Sequence, residues 1–217
     1  MCRERGILFH VDAAQSAGKL PIAVGDQCVD LLSLSAHKMY GPKGIGALYV
    51  RRHPDVRIAA QMHGGGHERG LRSGTLPTHQ CVGMGEASAL AAARLDSDPA
   101  AIAVLRDRLW EGIRNLPGVQ LNSELDSTAC GHLNVAFGGC DGEMLLLSLR
   151  KIAVATGSAC TSASLEPSYV LRAVGLSDEL AQSSLRISLG RWTSQQEVDF
   201  VIQHIRDIVP QLQRKRA

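Results

Sequence analysis

The chain has 217 residues, 45% of them hydrophobic and 20% charged, and its 23 basic and 21 acidic residues leave a formal net charge of +2. This is the composition of a soluble globular protein with room for one large domain or two modest ones. The near-balance of charge argues against a nucleic-acid partner, because the one basic cluster, Arg214-Lys215-Arg216, reads as a solvated helix end. No run approaches the roughly 20 apolar residues needed to cross a bilayer, and Met1-Cys2-Arg3-Glu4-Arg5 is too charged to open a secretory signal. The chain therefore reads as cytoplasmic. Its six cysteines, Cys2, Cys28, Cys81, Cys130, Cys140 and Cys160, contain no C-x-x-C pair, which speaks against a resident metal site and a disulfide framework.

Residues 7–11, 31–34 and 46–50 are short apolar runs, the pattern of strands covered on both faces. A helical, alanine-rich stretch follows over 78–95, and Asp96-Ser97-Asp98-Pro99 supplies a stop and a new helix start. A domain boundary is expected there, dividing 1–95 from 96–217. The second part reads as a helix over 100–116, strands at 119–121 and 133–137, and a helix over 143–149. Further strands are expected at 153–155 and 185–189, separated by a long loop and a helix over 167–174. A terminal amphipathic helix over 194–212 opens on Ser194 and Glu197, which fit a capping box. The expected fold class is α/β, with part of a mostly parallel large domain followed by a smaller α+β domain.

Several segments can carry chemistry. Asp12 and Gln15 follow the first strand, at the carboxyl end where open α/β sheets bind ligands. A carboxylate there can pair with a protonated pyridine nitrogen and an amide can donate to a ring oxygen, although for this segment alone a capping Asp with a surface Gln is the better reading. The next strand delivers Ser35, His37 and Lys38 to the same edge, ahead of the turn Tyr40-Gly41-Pro42-Lys43-Gly44. A hydroxyl and an imidazole can hold a phosphate while a lysine forms a Schiff base, so pyridoxal phosphate (PLP) is the cofactor this grouping fits. Nucleotide binding is disfavoured, because Gly18-Lys19-Leu20 lacks the Ser or Thr of a phosphate loop and Gly44-Ile45-Gly46 does not continue as a dinucleotide fingerprint.

His63-Gly64-Gly65-Gly66-His67 spaces two imidazoles as a helical metal site would, but three glycines disfavour a helix. The run continues through Arg69, Arg72, Ser73 and Thr75, a basic and hydroxyl-rich turn that suits an anion or is an ordinary exposed loop. Residues 156–164, Thr-Gly-Ser-Ala-Cys-Thr-Ser-Ala-Ser, surround Cys160 with small side chains, which reads as a mobile loop presenting a reactive thiol or as a cysteine in a tight small-residue turn. Arg186, on the strand at 185–189, can fork onto a substrate carboxylate or form half of a salt bridge.

Together the segments HVDAAQ, SLSAHKMYGPKGIGALYVRR, HGGGHERGLRSGTL, TGSACTSASLEPSYVLRAVGL and SSLRISLGRWT closely resemble the cysteine desulfurases of iron-sulfur cluster assembly, the IscS and NifS type of fold-type I PLP enzyme. The resemblance covers essentially the whole chain. It implies that Lys38 holds PLP and acts as the catalytic base, that Asp12 pairs with the pyridine nitrogen, and that Gln15 contacts the phenolic oxygen. It further implies that Ser35 and His37 bind phosphate, that Thr75 reaches the phosphate of the partner subunit in a homodimer, and that Arg186 anchors the carboxylate of L-cysteine. Cys160 would become the persulfide, pass sulfur to a scaffold protein and to carriers for tRNA thiolation, and be able to ligate a transferred iron-sulfur cluster.

Family members carry a long segment ahead of HVDAAQ that brings further cofactor contacts and strands. The chain is accordingly expected to be the carboxyl-terminal portion of a desulfurase, truncated or split, weakened as an isolated catalyst and with apolar strand faces and edges uncovered. Other fold-type I enzymes, a selenocysteine lyase or an aminotransferase, would keep Lys38 and Asp12 without depending on Cys160. A non-catalytic interaction fragment would bind partners without PLP.

Overall fold

Only residues 36–45 connect the strand that ends at Ser35 to the strand that begins at Gly46, too short a path for a crossover, so these two strands must run antiparallel. The longer connection over 13–30 allows the preceding strand to lie parallel. The computed structural model describes residues 1–54, 56–156 and 166–216, and divides into two compact units, Met1–Ser97 and Asp98–Ala217.

The first unit is a three-stranded mixed sheet of β1 (His10–Asp12), β2 (Leu31–Ser35) and β3 (Gly46–Val50) with the helix α1 (Thr78–Ala93). β1 pairs parallel with β2, Asp12 opposite Ser33, and β2 pairs antiparallel with β3, Leu34 opposite Ala47. Ala17, Ala36, Met39 and Met84 form one apolar cluster and Ala13, Val29 and Leu32 another. Gly46 is required where β3 meets β2, since a Cβ there would stand 2.5 Å from the Leu34 carbonyl oxygen.

The second unit joins β4 (Val119–Leu121), β5 (His132–Phe137), β6 (Ala155–Thr156) and β7 (Ser184–Ser188) in the order β4-β5-β7-β6, with every pairing antiparallel. Its helices are α2 (Ser97–Ile113), α3 (Gly142–Ser148), α4 (Tyr169–Ala173), α5 (Asp178–Gln182) and α6 (Gln195–Arg216). Alternation along β5 and β7 puts Leu133, Val135, Phe137, Leu185 and Ile187 into a core with Leu109 and Ile113 of α2 and Val198, Ile205 and Val209 of α6. Each such side chain contributes about 1.5–3 kcal/mol by burial. Among the described residues no helix is long and apolar enough to cross a membrane.

Several local expectations change. β1 starts at His10 and not at residue 7: the Phe9 carbonyl accepts from the Asp30 and Leu31 N–H groups, and Ile7, Leu8 and Phe9 stay exposed outside the ladder. Leu48 of β3 is exposed as well, so these strands are not covered on both faces. α5 has no counterpart in the expected elements; it begins where Ser177 Oγ accepts from the Leu180 N–H. The capping box at α6 forms as expected, with Ser194 N–H donating to Glu197 Oε2 at 2.7 Å and Glu197 N–H donating to Ser194 Oγ at 3.2 Å. α6 runs past residue 212 and through Pro210, with the side chains of Gln211 and Arg214 donating to the carbonyls of Asp207 and Pro210.

Candidate active site

The parallel pairing of β1 with β2 brings two strand ends to one edge of the first sheet. Asp12 closes β1. Its Oδ1 accepts from the Ala14 N–H at 3.0 Å, and its other oxygen has no partner among the described residues. Gln15 follows in the turn, where its Oε1 accepts from Lys19 Nζ at 3.2 Å and leaves the amide nitrogen as the available group.

Ser35 closes β2, and Ala36–Met39 form one 3-10 turn that presents His37 and Lys38. Ala36 and Met39 are buried and pin the turn, while Lys38 is half-buried between them and His37 is exposed. The turn closes through Tyr40, which adopts left-handed backbone at φ +68°, and through Gly41 N–H donating to the Ala36 carbonyl at 2.8 Å. Ser35 Oγ and His37 Nδ1 lie 3.0 Å apart. Lys38 Nζ has no hydrogen-bond partner among the described residues. Gln80 Nε2 of α1 donates to the Lys43 carbonyl at 2.9 Å and ties down the loop behind the lysine.

Residues 62–75 fold back on themselves. Met62 bridges Arg72, Gly66 N–H donates to Ser73 Oγ at 3.2 Å, and Gly74 N–H donates to His67 Nδ1 at 3.3 Å. His63 and His67 do not share a helix; among the described residues the helical turn nearby is the short 3-10 segment Glu68–Gly70. Ser73 is buried at 8% exposure and organises the turn, whereas Thr75 is exposed beyond it.

In the second unit Arg186 sits on β7, opposite Asn134 of β5 on one side and Ala155 of β6 on the other. Its Nε is buried, and its guanidinium has no hydrogen-bond or ion-pair partner among the described residues. A charge held partly away from water without a counter-ion is costly, so the group is suited to an anion that comes from outside the described residues. Cys160 falls outside the described residues.

The donor set fits PLP. It offers an unengaged amine for the aldehyde, a carboxylate for the pyridine nitrogen, an amide nitrogen for the ring oxygen, and a hydroxyl–imidazole pair for phosphate. Motif reading did not single out the polar cluster next to Arg186. Asn122 Nδ2 donates to Asn134 Oδ1 at 2.6 Å and to Ser184 Oγ at 2.9 Å. The polar positions alternating with Leu133 and Val135, and with Leu185 and Ile187, were the signal that marks this face.

Comparison with known proteins shows the family and the fold. The cysteine desulfurase IscS of Shewanella amazonensis is 63% identical over 202 residues, 93% of this chain and 50% of that protein. A solved NifS-like protein superposes with a TM-score of 0.84 at 36% identity, covering 96% of this chain and 54% of the other. The structure of SspA in complex with cysteine matches with a TM-score of 0.69 at 41% identity, covering 89% of this chain and 53% of that one. The chain thus spans about half the length of the curated relatives it matches. The aminotransferase class-V family model aligns with residues 1–201, across both sheets and both strand ends described above. The chain belongs to the aminotransferase class-V family.

Proposed function

We propose that this chain carries the cofactor lysine, the acceptor cysteine and the substrate anchor of a PLP-dependent cysteine desulfurase. The net reaction is L-cysteine plus the Cys160 thiol giving L-alanine plus a Cys160 persulfide. The observation that carries the reading is the delivery of Asp12, Ser35, His37 and Lys38 to one edge by a parallel strand pair. The names of the relatives, and the cysteine held by SspA, support L-cysteine as substrate.

When bound, PLP supplies the electron sink that lets an amino acid lose its α-proton. Lys38 holds the cofactor aldehyde between turnovers, then takes the α-proton and returns a proton to the carbon skeleton. Asp12 keeps the pyridine nitrogen protonated, the Gln15 amide donates to the ring oxygen, and Ser35 and His37 hold the phosphate. In a homodimer Thr75 serves the phosphate of the partner subunit. Arg186 fixes the α-carboxylate and so orients the sulfur. The Cys160 thiolate forms a sulfur–sulfur bond as the substrate's Cβ–S bond breaks, and protonation of that carbon gives L-alanine. The persulfide sulfur then goes to a scaffold protein for iron-sulfur clusters and to carriers for tRNA thiolation, in the cytoplasm.

Incubation with PLP and L-cysteine, followed by peptide mass mapping, tests this. The expected result is one added sulfur on Cys160 and one L-alanine per sulfur, both lost in Lys38→Ala, with Cys160→Ala losing the sulfur transfer. Undiminished sulfur release in Cys160→Ala would assign the chain to a lyase that does not need the thiol.

A further inference from the structure

We propose that Asn134 is a second carboxylate-binding residue beside Arg186, with its amide nitrogen set to donate by Asn122. Asn134 and Arg186 stand opposite each other in the antiparallel β5–β7 pair, which puts both side chains on one face of the sheet. Directly opposed residues have Cβ atoms about 4.5–5.5 Å apart, within reach of a single small anion. The opposite face belongs to the hydrophobic core through Leu133, Val135, Leu185 and Ile187, so the strands that carry the pair are held rigidly.

The orientation of the Asn134 amide follows from its neighbour. Asn122 Nδ2 donates to Asn134 Oδ1 at 2.6 Å, which occupies the acceptor side of that amide and turns its NH2 group away from Asn122. Asn122 is itself held, through the same nitrogen, by Ser184 Oγ at 2.9 Å, and the Ser184 hydroxyl donates to the Leu180 carbonyl at 2.7 Å. Asn122, Asn134 and Ser184 therefore form a relay that ends in an Asn134 N–H donor with no partner among the described residues, and Asn122 Oδ1 is left as a buried acceptor without one. Paired with Asn134 across the two strands is Arg186, whose buried Nε also lacks a partner among the described residues. Two donor groups on paired residues, neither engaged by an acceptor among the described residues, describe a site for a two-oxygen anion, an α-carboxylate under the reading of Arg186 given above, on which this inference rests. Asn134 adds direction to what Arg186 supplies in charge: a guanidinium alone allows the carboxylate to pivot, and a second donor at a fixed place selects one rotation.

The test follows the Arg186 Nε–H resonance by NMR while the PLP-loaded protein is titrated with L-alanine. The expected result is a saturable shift in the parent protein. Asn134→Ala should weaken the affinity by roughly 10-fold or more, as loss of a hydrogen bond to a charged acceptor does. Asn134→Asp keeps the shape and the bond from Asn122 but adds a competing negative charge. It should shift the Arg186 resonance before any ligand is added and weaken binding further, and it serves if the alanine variant does not fold. Arg186→Lys, read on the remaining amide signals, separates the two ideas. Affinity lost in Arg186→Lys but unchanged in both Asn134 variants would overturn the role of Asn134 and leave that of Arg186 standing. A parent resonance that does not respond to L-alanine would overturn both.

Discussion

The two units hold their functional groups in opposite ways. In Met1–Ser97 the groups lie at a sheet edge, on the ends of β1 and β2 and on the single turn that carries Lys38, and what fixes them is backbone: the parallel register, a left-handed residue at position 40 and a close approach at Gly46. In Asp98–Ala217 Arg186 and Asn134 project from the middle of a sheet face, and what fixes them is the packing on the reverse side. An edge site tolerates changes in the core better than changes in turn geometry. A face site does the reverse.

The largest expected effect falls on the edge. Under the proposed function, Lys38→Ala should reduce cysteine turnover by at least about 1,000-fold, because it would remove both the cofactor tether and the base, whose contribution alone is roughly 100- to 10,000-fold. Steady-state L-alanine production measures it, and retained turnover would dissolve the contrast, since the edge would then carry no chemistry. The next effect falls on the core. Leu109→Ala, at a position that is 1% exposed, should cost about 2–5 kcal/mol in denaturant unfolding and speed amide exchange in β5 and β7. Gly46→Ala should cost about 1–3 kcal/mol, because the new methyl group meets the Leu34 carbonyl, which stands 2.5 Å from where a Cβ would sit. Its diagnostic is displaced amide resonances at Ser35 through Lys38, and unmoved ones would mean that register does not place the lysine.

The smallest effect is electrostatic. Hydrogen bonds from the backbone and the side chain of Ser194 hold the Glu197 carboxyl below its ordinary value of 4.5. A carboxylate with a depressed folded-state pKa contributes stability that is fully present above the unfolded value. That contribution is lost as pH falls below about 4.5 and through the lower folded value. Glu197→Gln should flatten the pH dependence of unfolding in that window and leave it unchanged at pH 7 and above, as paired melting curves would show.

The same contrast explains how much could be read from the chain. The edge groups fall in two short segments, Asp12 to Gln15 and Ser35 to Lys38, so the proposed chemistry is legible in local motifs, and β2, β3 and the capping box of α6 follow from apolar runs and cap residues. The resemblance to the desulfurases was legible for the same reason. The face cluster was not: Asn122, Asn134 and Ser184 are spread over three segments, and only strand pairing gathers them. The late start of β1 was hidden too, because Ile7, Leu8 and Phe9 look like strand residues, and where the ladder begins is not written in their side chains.

Borohydride reduction after incubation with PLP, followed by peptide mass mapping, tests the central claim most directly. A stoichiometric pyridoxyl group confined to Lys38 is the result the geometry predicts. Label spread over several lysines, or absent from Lys38, would contradict the claim that the β1–β2 edge is built to hold this cofactor.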